Sequence, residues 1–311
     1  MPLAALAQPA GKTPRIGVIT ALSSSSYSAY LAALRLGLRE LGYVEGKNIQ
    51  LELRYADGKL ERLPELANDL GRLGVDVLVT AGSHVTRVVR KSTRDIPIVM
   101  AYAGDPVGGG LADSLSRPGG RITGLTTLSP QLAGKRLEIL KEILPKLAEV
   151  GVVWNPDVPE RVIQFRETRS AAAKLRIPLH SFEARSTAEI AAAMKLASSK
   201  RVDAVIVLND ATLQFHEKNI ADLAISYRLP SLYQRREGAK LGGLLSYGPS
   251  FTDLHYRAAA YVDKILRGAK PGELPIEQAS TFELIVNLKA AKALEITIPR
   301  SVLLRADEVI Q

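Results

Sequence analysis

The side chains in this chain that could hold a small molecule recur at one kind of place, the polar end of a short apolar run. Ser24 and Tyr27 lie in the loop after 15–20, Gly82-Ser83 after 75–80, and Tyr102 and Asp105 at the end of 96–102. Thr126-Thr127 close 122–126, Trp154-Asn155 close 149–154, Asn209-Asp210 follow 204–208, Tyr233 ends 230–233, and Ser246-Tyr247 end 243–246. The chain has one Trp, ten Tyr and five Phe, so five of them at such positions make an aromatic wall. Hydroxyls and amides between the rings suit a small, largely apolar or aromatic ligand. A ligand carboxylate could rest on backbone N–H groups where a helix opens after Gly82-Ser83 or in the Ser23-Ser24-Ser25-Ser26 loop. An amine could pair with Asp105 or Asp210, which stand in opposite halves. Each Tyr or Asp alone is as readily a packing or capping residue, and the joint placement carries the reading.

Catalytic patterns fail when tested. Gly134-Lys135 is followed by Arg136 and position 129 is a serine, so there is no P-loop. Gly108 and Gly110 do not complete a dinucleotide fingerprint, because Asp113 holds the third place. No G-x-S-x-G elbow occurs. His84, His180, His216 and His255 are isolated and read as surface or packing residues, so no metal site is expected. Asp105 and Asp210 could do acid–base work, but nothing accompanies them that would stabilise an electrophile. The expectation is binding without catalysis or cofactor.

The elements that must position these residues alternate strand and helix. Strands are read at 15–20, 49–54, 75–80, 98–102 and 122–126, with helices beginning near Tyr27 and around 63–73 and after Gly82-Ser83. Helix 131–144, strand 149–154, helix 160–175, strand 179–183, helix 188–199 behind a Ser186/Glu189 capping box, strand 204–208, helix 213–227 and strands 230–233 and 243–246 repeat the scheme. Such β-α-β runs give parallel sheets covered by helices on both faces. Two five-strand units therefore predict an α/β protein with two doubly wound, Rossmann-like or flavodoxin-like lobes. Tyr247-Gly248-Pro249 reads as a chain break, followed by helix 252–266, a linker at 271–275, strand 281–286 and helix 288–294. These are expected to fold back across the boundary and make a multi-strand hinge that bends but resists twisting. The lobes are expected over 13–126 plus 249–280 and over 127–248 plus 281–311.

Composition narrows the classes further. A chain of 311 residues has material for two cores. Its net charge of +9 comes from 41 basic residues spread without a block of five, so nucleic acid is not an expected partner. With no cysteine, disulfides, thiolate metal sites and cysteine nucleophiles are excluded together. No run reaches the ~18 apolar residues that span a bilayer. Residues 1–12, with Pro2-Leu3-Ala4-Ala5-Leu6-Ala7-Gln8-Pro9-Ala10, read as a residual signal-peptide-like or disordered segment and point to export.

Many ordered motifs then converge on one family. They include Gly42-Tyr43 with Gly46-Lys47-Asn48, Asp105-Pro106-Val107, Arg117-Pro118-Gly119-Gly120 with Ile122-Thr123-Gly124, and Lys135-Arg136-Leu137-Glu138. Asn155-Pro156, Arg228-Leu229-Pro230, Arg236-Glu237, Ser246-Tyr247-Gly248-Pro249, Phe282-Glu283-Leu284 and Arg305-Ala306-Asp307-Glu308 continue the series. From Arg15 to Gln311 the chain closely resembles the ABC transporter substrate-binding proteins whose better-known relatives take up tryptophan, tyrosine or phenylalanine. The resemblance implies a class I periplasmic-binding fold, a membrane permease and an ATPase as partners, periplasmic localisation, membrane contact only through the permease, and a monomer that captures a small organic solute by hinge closure. The chain departs from the usual pattern at Arg236-Glu237-Gly238, where a bulky apolar residue commonly follows the Glu, and at Asn209-Asp210-Ala211, where Asp-Pro is frequent. The solute, an amino acid or aromatic acid, is therefore not carried over. A sensor domain of the same fold and a two-lobed nucleotide-sugar-type enzyme stay open as alternatives.

Overall fold

The computed structural model describes residues 13–127 and 132–311. The readings of a signal-like segment at 1–12 and of a crossing at Ser129-Pro130 lie outside the described residues. Five strands, β1 (Arg15–Thr20), β2 (Gln50–Tyr55), β3 (Val77–Ala81), β4 (Ile98–Ala103) and β5 (Ile122–Thr126), alternate with helices α1 (Ser24–Glu40), α2 (Leu63–Arg72) and α3 (Ser83–Ser92). The chain continues through α4 (Ala133–Ile143), β6 (Val150–Trp154), α5 (Pro159–Lys174), β7 (Leu179–Glu183), α6 (Thr187–Ser199) and β8 (Ala204–Val207). Next come α7 (Ala211–Phe215), α8 (Glu217–Ser226), β9 (Ser231–Tyr233), α9 (Arg236–Lys240), β10 (Leu245–Pro249) and α10 (Phe251–Leu266). β11 (Glu277–Gln278), β12 (Phe282–Asn287), α11 (Leu288–Ala293), α12 (Arg300–Leu303) and β13 (Glu308–Ile310) complete it.

A six-stranded sheet has the order β11-β5-β4-β3-β1-β2, and a seven-stranded sheet the order β13-β12-β10-β9-β8-β6-β7. Pairing is parallel throughout except between β10 and β12. The runs Val77–Ala81, apolar but for Thr80, and Ala204–Val207 are wholly buried, as strands covered on both faces must be. Gln50–Tyr55, at the sheet edge, alternates apolar and polar residues and stays half exposed. Leu31, Leu34 and Leu38 of α1 pack with Leu254, Ala258 and Val262 of α10, so the late helix covers the first sheet.

Tertiary pairing overrides local punctuation at several places. Tyr247-Gly248-Pro249 does not break the chain but belongs to β10, where Tyr247 stands opposite Leu284 of the antiparallel β12. The expected five-strand units grow to six and seven strands because β11 joins the first sheet while β12 and β13 extend the second. The helix expected over 213–227 is two, α7 and α8, divided at His216, whose backbone (φ −99°, ψ 15°) leaves the helical region. α9 had no periodic signal, since five residues make little more than one turn. The chain passes between the sheets after β5, after β10 and after β11.

Candidate ligand site

The strand C-terminal ends of the two sheets face one another across a cavity of about 620 Å³ between atoms, its open mouth included. Thr20, Gly82, Ser83, His84, Tyr102, Gly104, Thr127 and Phe251 line it from the first sheet's side, and Val158, Arg161, Asn209, Asp210, Gln214, Gln234 and Arg235 from the second's. Contacts already join the sides. Tyr102 Oη and the Gln214 amide are 3.3 Å apart, Arg235 Nη2 donates to Tyr30 Oη at 2.6 Å, and Arg87 pairs with the buried Glu160.

Local sequence explains the placements. Gly82, at φ 98°, is the N-cap of α3, a backbone shape that disfavours any side chain, and it aims the first N–H groups of the helix at the cavity. Ser83 Oγ accepts from Gly104 N at 3.0 Å and ties the ends of β3 and β4 together. At Gly104 a Cβ would lie 2.7 Å from Arg161 Nη2, so glycine there lets the guanidinium of α5 reach across. Asp210 Oδ1 caps α7 by accepting from Leu213 N at 2.8 Å, which leaves Oδ2 buried and without a hydrogen bond. Burial pushes the Asp210 carboxyl up, while the Leu213 N–H, the Arg161 charge and the nearby Asn155 side-chain amide oppose that shift.

Arg235 sits at the centre of the second side, only 3% exposed. It pairs with Glu237 at 3.2 Å and Glu217 at 3.7 Å, and its guanidinium carbon lies 5.4 Å from the Tyr30 ring centre and 5.5 Å from that of Phe251. The Gln214 amide turns its oxygen to Arg235 and its nitrogen to Tyr102 Oη. Burial works against ionising Glu237, but the Arg235 charge and the Tyr30 hydroxyl outweigh it and hold the carboxyl below its usual range. For Glu217 burial wins and pushes the carboxyl up to about 7. Four buried polar atoms of cavity residues have no hydrogen-bond partner besides Asp210 Oδ2: Arg161 Nε, Asn209 Oδ1, Gln234 Nε2 and Arg235 Nε. Donors and acceptors left over on one cavity wall are what a ligand with both a carboxylate and an ammonium would satisfy.

Of the residues expected from sequence, Gly82, Ser83, Tyr102, Thr127, Asn209 and Asp210 line this cavity. The others lie elsewhere. Ser24 is exposed on α1, and Tyr27 is buried among Tyr30, Tyr55 and His255. Asp105 accepts from Val107 N and Gly108 N and shapes its own turn, and Thr126 Oγ1 donates to Gly104 O at 2.5 Å. Trp154 stacks on Phe165 at 4.4 Å and donates to Ser181 Oγ, while Asn155 caps the next turn through Asp157 N. Tyr233 is fully buried beneath Gly238 and Gly243, Ser246 is buried within β10, and Tyr247 packs on the second lobe's core. Sequence reasoning missed Arg161, Gln214, Gln234, Arg235 and Phe251. Arg161 carried one signal, a cation in the first turn of a helix, where the macrodipole favours acids.

Behind the aromatic wall His255 Nδ1 carries the proton and donates to Phe251 O at 2.6 Å, since a carbonyl can only accept. Burial pushes its pKa down to about 4, so its contribution is fully present above the ordinary value of 6.5 and is lost as pH falls from there through 4. Glu217 has the opposite sign: its contribution is present below 4.5 and is lost as pH rises through 7. Each slope is worth about 3 kcal/mol over its full range. His255→Gln should therefore unmask Glu217, giving melting temperatures that rise from pH 7 to pH 5 while the parent's change less; a variant whose melting temperature falls over that interval, or changes no more than the parent's, would refute this assignment.

Two helix-covered sheets joined by three crossings, with a polar cavity between their strand ends, define a two-lobed solute-binding protein of the periplasmic type. The chain belongs to the ABC transporter substrate binding protein family, whose family model matches residues 15–310. It is 24% identical over 284 residues to a tyrosine-binding protein of Clostridioides difficile (strain R20291), covering 91% of this chain and 81% of that protein. The solved structure of a conserved domain protein from Vibrio cholerae is 31% identical with a TM-score of 0.89, over 96% of this chain and 100% of that one. An ABC domain from Streptococcus pneumoniae in complex with L-Trp is 28% identical with a TM-score of 0.89 and the same coverage. Among the described residues no helix is long and apolar enough to cross a membrane, and no group of His, Cys, Asp or Glu could hold a metal ion.

Proposed function

We propose that this protein is the exported, periplasmic capture subunit of an ABC uptake system, and that it holds an aromatic L-amino acid between two lobes. The observation that carries the reading is that residues lining one side of the cavity carry buried polar atoms without hydrogen-bond partners. Asp210 Oδ2 and Asn209 Oδ1 would take the ammonium. The α3 N-terminus, Arg161 and Gln234 would take the carboxylate, and the ring would lie against Tyr102 and Phe251. The relatives that bind tyrosine and tryptophan support the same class of solute. The lobes are 13–126 plus 249–280 and 127–248 plus 281–311, and ligand draws them shut because it binds the closed pair better than either lobe alone. The closed monomer is then what the permease, driven by its ATPase, receives, and no bond is made or broken.

Calorimetry on refolded, ligand-stripped protein tests this against tryptophan, tyrosine, phenylalanine, leucine and phenylpropanoid acids. An aromatic amino acid should bind at micromolar affinity or better, and its deaminated analogue at least about 100-fold more weakly, since an unpaired Asp210 would stay buried. No heat with any of these solutes, or equal affinity for the deaminated acid, would overturn the reading.

A further inference from the structure

Glu217 is a buried carboxylate that the account of ligand capture leaves unused. It is 2% exposed, it opens α8, and it does not line the cavity. An acid in a first helical turn is ordinarily placed by the helix dipole and points to water. This one points inward and joins two cavity residues from different loops. Asn209 Nδ2 donates to its Oε1, and Arg235 Nη1 lies 3.7 Å from its Oε2. With its amide nitrogen committed to Glu217, Asn209 keeps its Oδ1 without a protein partner. With one face drawn to Glu217 and Glu237, the Arg235 guanidinium stays seated over Tyr30 and Phe251.

We propose that Glu217 is a positioning residue for solute capture: from behind the cavity wall its ionised carboxylate holds Asn209 and Arg235 in their ligand-facing places, and its protonation releases them. The inference rests on the amino-acid-binding reading above. The groups that face Glu217 are the Arg235 guanidinium and Glu237 carboxylate from the β9–α9 segment, Tyr233 from β9, Tyr102 from β4 and the Asn209 amide after β8. On its own helix Lys218 and Asp222 pair with each other at 2.5 Å. Glu237 keeps Arg235 charged and neutralised whatever Glu217 does, so protonating Glu217 leaves the fold intact and loosens the wall. Burial places that proton near neutrality, at about pH 7. His84, the histidine of the cavity, is pushed below its ordinary range by burial and stays neutral over the same interval.

The test is titration of the full chain and of Glu217→Gln with L-tryptophan and L-tyrosine between pH 6.5 and 8.5, together with the Asn209 side-chain amide signals of the ligand-stripped proteins. The parent's affinity should weaken several-fold, up to about tenfold, as pH falls through 7, and its Asn209 amide should titrate at the same midpoint. Glu217→Gln should bind about tenfold more weakly at pH 8.5, with no pH dependence and a static Asn209 signal. A pH-independent parent with an equally tight variant would overturn the proposal. If the parent binds neither amino acid, the amino-acid reading fails by itself. The Asn209 titration then decides the role of Glu217, and a parent amide signal that does not move near pH 7 refutes it.

Discussion

Asp210→Asn should abolish amino-acid capture while leaving the empty protein as stable as the parent or more so. The two effects separate because Asp210 has two oxygens with different tasks. Oδ1 caps α7 through Leu213 N, and an asparagine oxygen accepts the same hydrogen bond. Oδ2 is buried without a partner, and burial pushes the carboxyl up, so the empty site is strained by a charge that the amide removes. A solute ammonium facing the amide instead of the carboxylate loses about 2–4 kcal/mol, or roughly 30- to 1,000-fold in affinity. Calorimetry and melting curves on the same samples read both. A variant that binds normally, or that loses binding only because it melts early, would remove Asp210 from the site.

The second large effect is at Arg235. Arg235→Ala strands Glu217 and Glu237 in the interior and removes the buried hydrogen bond to Tyr30. Leaving buried carboxylates without their cation costs about 3–5 kcal/mol. Urea unfolding should register that loss, and affinity for the amino acid should fall with it. Arg235→Met combined with Glu217→Gln should recover part of the stability but none of the affinity, since it removes one of the two stranded carboxylates, leaves Glu237, and does not restore the guanidinium. Equal stability of Arg235→Ala and the parent would show that the buried network is not what holds the second side of the cavity.

The fold was legible because its signals are long-period ones. Runs such as 77–81, apolar but for Thr80, and the wholly apolar 204–207 are too short for helices, so a covered parallel strand is where they fit. Of the cavity lining, the strand-end rule picked out Tyr102, Thr127 and the two places where a polar residue meets a helix start, Gly82-Ser83 and Asn209-Asp210. Tyr102 lines the cavity, whereas Tyr27, Trp154, Tyr233 and Tyr247 do not, and for three of these side-chain periodicity gives the reason. Trp154 follows Val150 and Val152 at the two-residue period and shares their core, away from Val153. Tyr27 stands four residues before Leu31 on the buried face of α1. Tyr247 sits two residues after Leu245 and packs with it. Arg235 was not legible because a charged residue in a short turn reads as solvated, and Arg161 carried only the weak signal of a cation in the first turn of α5. Only the assembled network of Glu217, Glu237, Tyr30 and Gln214 makes burial of the Arg235 guanidinium affordable.

The most direct test of the account is a crystal structure of the protein grown with L-tryptophan. The solute should lie in the cavity between Tyr102, Asp210 and Arg161, with its ammonium within about 3 Å of Asp210 Oδ2, an ordinary charge-assisted hydrogen bond. Its carboxylate should sit on the α3 N-terminus side. Density for the solute outside this cleft, or with its carboxylate turned onto Asp210, would contradict the account.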